Sequence, residues 1–325
     1  MFCVYSLFSW LAKSLSFFLR FFLLLLLLLG ATSIQAAPLK SITVVTATSS
    51  SLNTEFFNHL KLELNPLITH GLKLSMLRLD DLPTHSLQES DGHLLIAVGV
   101  QALSELSRRE TKLPIFGVFI PQSSYNSIWN QTKRSQHQFS AILLDQPFNR
   151  QINLLKNLLP KIERAGVLYG PTSHRFSDEL RQAATRENIG LAEQEIFESA
   201  ELTPKLKLVL QDSQALLAIP DPSIYSRETA QTILLTSYRY QKPVIGFSQA
   251  YVKAGALAAV YSSPGQIAKQ AAEIIMQSHE ALPPPRFPKY FSVDINRQVA
   301  RSLSVELQDE DKLYEALIKI ERLSP

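Results

Sequence analysis

From residue 41 onward the chain alternates between short apolar runs of β character and longer stretches that are apolar on one side only. Residues 41–46, Ser-Ile-Thr-Val-Val-Thr, are rich in β-branched side chains and predict a buried strand. Residues 53–64 place Phe56, Phe57 and Leu60 on one side and predict a helix. Further strands are expected over 72–77, 94–98, 114–120 and 139–144, with a helix over 101–108. Near-continuous apolar strands separated by helices imply a parallel sheet covered on both faces.

The same pattern then restarts. Helices are expected over 151–159, 177–188, 202–211, 226–240 and 264–278, and strands over 164–169, 191–197, 215–219, 243–247 and 256–261. Ser226 is a natural N-cap with Glu228 in the first turn behind it, and Pro264 suits a helix start. The run Leu282-Pro-Pro-Pro-Arg-Phe-Pro288 is a stiff, extended linker. A last strand over 291–295 and a terminal amphipathic helix over 313–323 follow. The fold class this predicts is α/β, two doubly wound parallel-sheet lobes with a cleft between them.

In open α/β sheets the ligand-facing groups lie beyond the carboxyl ends of the strands. Those positions here are 46–50, 99–101, 121–124, 170–174, 221–223 and 248–249. Thr46, Thr48 and Ser49 offer hydroxyls, Gln101 opens a helix after Gly99, and Pro121 follows another strand. A helix beginning near 51–53 would aim amide N–H groups at an anion such as a carboxylate. On the other side Asp221 would accept an ammonium group, and Tyr169, Phe247 and Tyr251 would supply apolar walls. Ser173, His174 with Arg175, and Ser248 complete the candidate ligand set. Capping and turn closure compete with ligand binding for each of these hydroxyls.

The first 36 residues differ from the rest. Lys13 and Arg20 come without any acid, the apolar run Phe21–Leu29 follows, and small and polar residues lead to Ala36. That layout is a secretory signal, with cleavage expected after Ala36. Nine apolar residues are too few to span a hydrocarbon core of about 30 Å, so an uncleaved anchor is the lesser alternative. The only cysteine, Cys3, lies in this segment, which suits an oxidising compartment such as a periplasm.

Composition narrows the chemistry. Hydrophobic residues make up 46% and charged ones 19%, enough apolar material for real cores. Lys+Arg is 32 against 29 for Asp+Glu, and no basic face with interleaved aromatics argues for nucleic acid. A disulfide framework and a cysteine-ligated zinc are excluded by the single cysteine, and no cofactor or metal is expected. The sequence holds no Walker A run, no GxGxxG and no HExxH, and its seven histidines are scattered. Gly246-Phe-Ser248-Gln-Ala250 begins like a nucleophile elbow, but Ala250 stands where the motif has Gly.

Four segments occur in a telling order: 215–221 (ALLAIPD), 242–248 (KPVIGFS), 251–258 (YVKAGALA) and 265–272 (GQIAKQAA). Leu158-Leu-Pro160 precedes Arg164-Ala-Gly-Val-Leu-Tyr169. Together they resemble the substrate-binding proteins of ABC transporters, the group often described as tryptophan/tyrosine-type periplasmic components. The likeness covers about 140–275 in sequence and 40–140 in layout. It implies a type I periplasmic-binding fold with a three-crossing hinge near 144–146, near 261–263 and in the proline linker. It divides the chain into a signal peptide (1–36), an N-terminal lobe (37–145 and 262–283), a C-terminal lobe (146–261 and 284–305) and a helical extension (306–325). Where the family often has Asn-Pro-Ser after the Leu-Tyr strand, this chain has Gly170-Pro-Thr-Ser173. The function implied is capture of a small, amino-acid-like solute in the periplasm by a monomer and its delivery to an ABC permease, without catalysis. A periplasmic sensor or accessory protein of the same fold, and an exported α/β hydrolase using Ser248, are the alternatives.

Overall fold

Five parallel strands, β1 (Ser41–Thr46), β2 (Lys73–Arg78), β3 (His93–Val98), β4 (Ile115–Ile120) and β5 (Phe139–Leu143), form the first sheet in the order β2-β1-β3-β4-β5. The computed structural model describes residues 39–82, 92–277, 281–307 and 309–323, so the expected signal segment lies outside the described residues. Helices α1 (Ser51–Glu63), α2 (Asn65–Thr69), α3 (Val100–Arg108) and α4 (Gln122–Trp129) connect these strands. The sequence pattern did not predict α4. Its residues are mostly polar, and only Tyr125 and Ile128 are buried.

The second sheet contains β6 (Arg164–Tyr169), β7 (Gly190–Glu195), β8 (Ala215–Leu217), β9 (Val244–Gly246), β10 (Ala258–Tyr261) and β11 (Ser292–Ile295), in the order β11-β10-β9-β8-β6-β7. Only β11 runs antiparallel, against β10. Its helices are α5 (Phe148–Leu158), α6 (Ser177–Arg186), α7 (Leu202–Gln211), α8 (Arg227–Arg239) and α9 (Gln249–Ala254). Helices α10 (Pro264–Gln277), α11 (Arg297–Ser302) and α12 (Glu310–Leu323) complete the chain.

Each sheet is buried on both faces because alternate strand residues feed opposite cores. In the first lobe Ile42 and Val44 pack with Phe56 and Leu60 of α1 and with Ile267 and Ala271 of α10. Val45, Leu95 and Ala97 face the other way, onto Leu103 and Leu106 of α3 and Tyr125 of α4. In the second lobe α5, α6 and α12 cover one face, and α7, α8 and α9 cover the other. Gly166 in β6 allows the closest approach. A Cβ there would stand 2.3 Å from Val209 Cγ1 of α7.

The chain passes between the lobes after β5, after β10 and near Pro288–Phe291. Residues 284–287, expected in the second lobe, stay with the first. Leu143 N donates to Arg286 O (2.8 Å), and Arg286 N donates to Ala141 O (3.0 Å). Three prolines keep the linker extended without offering an N–H, so Arg286 supplies the first donor that can pair with the edge of β5. The expected extension is structural. Leu313 and Leu317 of α12 lie in the second-lobe core, and the Tyr314 ring sits 5.0 Å from that of Phe291.

Candidate functional site

Parallel strands deliver all their carboxyl ends to one edge, and in both lobes that edge adjoins the crossings. The end of β5 meets the end of β10, where Gln146 Nε2 donates to Ser262 Oγ at 3.0 Å. The loops singled out from sequence follow the carboxyl ends of strands in the two sheets, and the ends of β5 and β10 meet at this contact.

On the first-lobe edge, Thr46 is buried and Thr48 and Ser49 are exposed. Ser50, not Thr48 or Ser49, caps α1, accepting from Asn53 N at 3.2 Å, while Asn53 Nδ2 donates to Thr48 O at 2.6 Å. Gly99 has φ +85°, the left-handed turn that brings β3 into α3 and leaves Gln101 exposed. Pro121 precedes α4, whose first amide, Gln122 N, donates to Asp145 Oδ2 at 2.6 Å. Burial raises the Asp145 carboxyl above its ordinary range, against the lowering effect of that bond. Leu52 and Leu144 show exposed apolar surface on the same edge.

The second-lobe edge differs from expectation at three residues. Asp221 is 2% exposed and has no oxygen to spare for an ammonium group. Its Oδ2 accepts from Thr172 N (3.2 Å), Ser173 N (2.8 Å) and Ser173 Oγ (2.8 Å), and its Oδ1 from Ser223 N (3.0 Å) and Ser223 Oγ (2.7 Å). Burial raises its carboxyl, but the bonds from Ser223, Thr172 and Ser173 outweigh this and hold it below the ordinary value. Ser173 is spent in the same knot, with its Oγ also accepting from Gly170 N at 2.9 Å. Tyr169 offers no open wall. It is 1% exposed and its hydroxyl donates to Glu193 Oε1 at 2.8 Å.

His174 remains exposed, with Nδ1 3.2 Å from Glu195 Oε1. Phe247 stacks on Tyr251 at 5.2 Å, and both lie edge-on to Tyr225. Tyr251 is buried, so Phe247, half-buried, is the member of this cluster that keeps an accessible face. Ser248 Oγ caps α9, accepting from Tyr251 N at 3.2 Å. Asp145, Gln146 and Ser262 fall in the crossings expected at 144–146 and 261–263 but were not among the candidate site residues; the Gln146–Ser262 bond across the hinge and the Gln122–Asp145 bond are tertiary contacts. Among the described residues no group of three or more His, Cys, Asp or Glu is arranged to hold a metal ion, and no helix is long and apolar enough to cross a membrane.

Two α/β lobes, joined by three crossings and lined by strand-end loops, define a binding protein of the type I periplasmic fold. Comparison with known proteins agrees. Residues 84–316 match the family described as ABC transporter substrate binding protein, and the chain belongs to that family. No curated protein matches it. Among solved structures it is similar to CD0873 of Clostridium difficile, described as a substrate binding protein with adhesive properties. That pair shares 14% identity at a TM-score of 0.66, over 84% of this chain and 97% of the other. An ABC domain from Streptococcus pneumonia in complex with L-Trp matches at 15% identity and TM-score 0.57, over 85% of this chain and 98% of that one. A conserved domain protein of Vibrio cholerae matches at 16% identity and TM-score 0.58, over 86% and 98%.

Proposed function

We propose that this chain is an exported solute receptor that traps a small molecule between its lobes and passes it to an ABC importer. The observation that carries this reading is the convergence of both sheets' carboxyl edges on one hinge, with hydroxyl and amide groups exposed on each side. Thr48, Ser49 and Gln101 would contact the solute from the first lobe, on a surface shaped by Gly99 and Pro121. His174, Phe247 and Ser248 would contact it from the second. Thr46, Tyr169, Ser173 and Asp221 would act behind them as scaffold. A ligand shifts the open–closed balance only through its differential affinity, so contacts from both lobes are what closure needs.

An amino-acid-like solute is the first class to test, since one structural neighbour is a complex with L-Trp. With Asp221 saturated, recognition would rest on hydrogen bonding to the solute's polar groups and on stacking against Phe247. These residues would bind and orient the solute without converting it. The test is a thermal-shift screen of purified protein against amino acids, nucleobases, sugars and small anions, followed by calorimetry. A true ligand at 100 times its Kd adds about 2.7 kcal/mol of stability. Absence of any stabilising solute, or chemical turnover of one, would sink the reading. Cell fractionation checks export, and co-purification with a permease checks delivery.

A further inference from the structure

The hinge is built around one buried guanidinium. Arg150, on the first turn of α5, is 5% exposed. Its NH1 donates to Gln146 Oε1 in the first crossing (2.5 Å) and to Pro288 O in the third (3.0 Å). Its guanidinium carbon lies 4.0 Å above the centre of the Phe291 ring, also in the third crossing. The network continues into the second crossing. Gln146 Nε2 donates to Ser262 Oγ at 3.0 Å, and Ser262 Oγ donates to Tyr290 O at 2.6 Å.

Helix α10 binds the same strands from the first lobe. Gln266 Nε2 donates to Phe291 O (2.9 Å) and Ser292 Oγ (3.0 Å). Gln270 Nε2 donates to Phe287 O (3.2 Å), and its Oε1 accepts from Lys289 N (2.7 Å). Phe291 also meets the tilted ring of Tyr314 of α12 at 5.0 Å, so the ring lies between the terminal helix and Arg150. Buried polar side chains at this density need matched partners, and a network that is satisfied in one lobe arrangement penalises others.

We infer that Arg150 is a positioning residue for solute capture. It clasps the three crossings together and fixes how far the lobes open before a ligand arrives. Its Gln146, Pro288 and Phe291 contacts all lie in the crossings, so the action inferred runs through the hinge. Buried charge-assisted bonds of this kind have few equivalent geometries, so the clasp narrows the range of lobe orientations. The inference rests on the two-lobe reading above but not on the solute's identity.

The test measures lobe separation directly in the unliganded full chain. Spin labels at Lys61→Cys on α1 and Lys207→Cys on α7, in a Cys3→Ser background, report the interlobe distance distribution by pulsed electron resonance. Arg150→Met is expected to broaden that distribution and raise the more open population about tenfold, the scale of one lost charge-assisted bond. Arg150→Lys, which keeps a charge over Phe291, should restore part of the narrowing. Ser262→Ala cuts the link between the crossings without removing a charge and should broaden the distribution as well. A wild-type distribution in either folded variant overturns the inference. If Arg150→Met does not fold, Ser262→Ala decides alone. A failed ligand screen would sink the proposed function without touching this result.

Discussion

Ser173 donates both its backbone N–H and its hydroxyl to Asp221 Oδ2, each at 2.8 Å, although the residues are 48 positions apart. This contact ties the loop after β6 to the loop after β8, and through Ser223 it closes the loop after β8 on itself. The second-lobe edge of the cleft is thus set by a carboxylate that the solvent scarcely reaches.

Replacing Asp221 with Asn turns an NH2 donor toward groups that are themselves donors, and is expected to cost about 3 kcal/mol, the scale of hydrogen bonds to a charged group. Because the native carboxyl lies below its ordinary value, its contribution is present above the unfolded pKa and fades as pH falls through the lowered one. Urea titrations of both proteins should show the stability gap at pH 7 closing in acid. A gap that is absent at pH 7 contradicts the assignment.

Gly170 has no room for a methyl group. A Cβ there would stand 2.5 Å from Ser223 Oγ and 2.7 Å from Asp221 Oδ2. Gly170→Ala should therefore cost about 1–3 kcal/mol and speed amide hydrogen exchange at Thr172 and Ser173. Unchanged protection at those amides would show that the loop is not held as described.

Asp145 behaves oppositely to Asp221. Burial raises its carboxyl, and burial first, then the neighbouring Asp145 charge, raises that of Glu179 on α6. A raised acid is most compatible with folding at low pH and opposes it increasingly as pH rises through the folded pKa. Asp145→Asn retains an oxygen for Gln122 N and removes the charge. Its Tm should exceed wild type at pH 7.5 and converge with it in acid. A lower Tm at pH 7.5 would show that the charge itself is needed.

Glu201 is held near a pKa of about 2, first by Lys205 and then by the N–H groups of Phe197 and Glu198. This contribution is complete above the ordinary carboxylate range and is lost as pH falls through about 2. Carboxyl chemical shifts followed by NMR should show that low midpoint in the native chain. A midpoint near the ordinary value of about 4.5 would mean that the turn Ser199–Glu201, which leads into α7, is not capped in this way.

Leu313 is fully buried in the second-lobe core. Leu313→Ala is expected to cost about 3 kcal/mol, in line with large-to-small core changes. A loss below about 0.5 kcal/mol in chemical denaturation would make α12 an appendage instead of a core element.

Much of the architecture was legible before any coordinates. The runs 41–46 and 164–169 form strands with the same bounds as expected, because a β-branched or apolar run between helices is a local signal. Helix α7 also matches its expected 202–211 span. Helix α4 was not legible, since a polar octapeptide with two buried residues carries little periodicity. At the site, the strand-end rule found the right loops but not the right tasks. Tyr169, Ser173 and Asp221 were expected to face a ligand; instead Ser173 and Asp221 bond to each other and Tyr169 bonds to Glu193.

The sequence by itself determined two α/β halves, a stiff linker and the loops where binding groups must lie, because hydrophobic periodicity and turn chemistry act over a few residues. Only the tertiary structure decided which polar groups remain available. Hydrogen-bond partners such as Asp221 with Ser173, or Arg150 with Pro288, are brought together by packing from 48 and 138 positions apart. No local pattern records such a pairing, and it is the pairing that separates a scaffold carboxylate from a ligand-binding one.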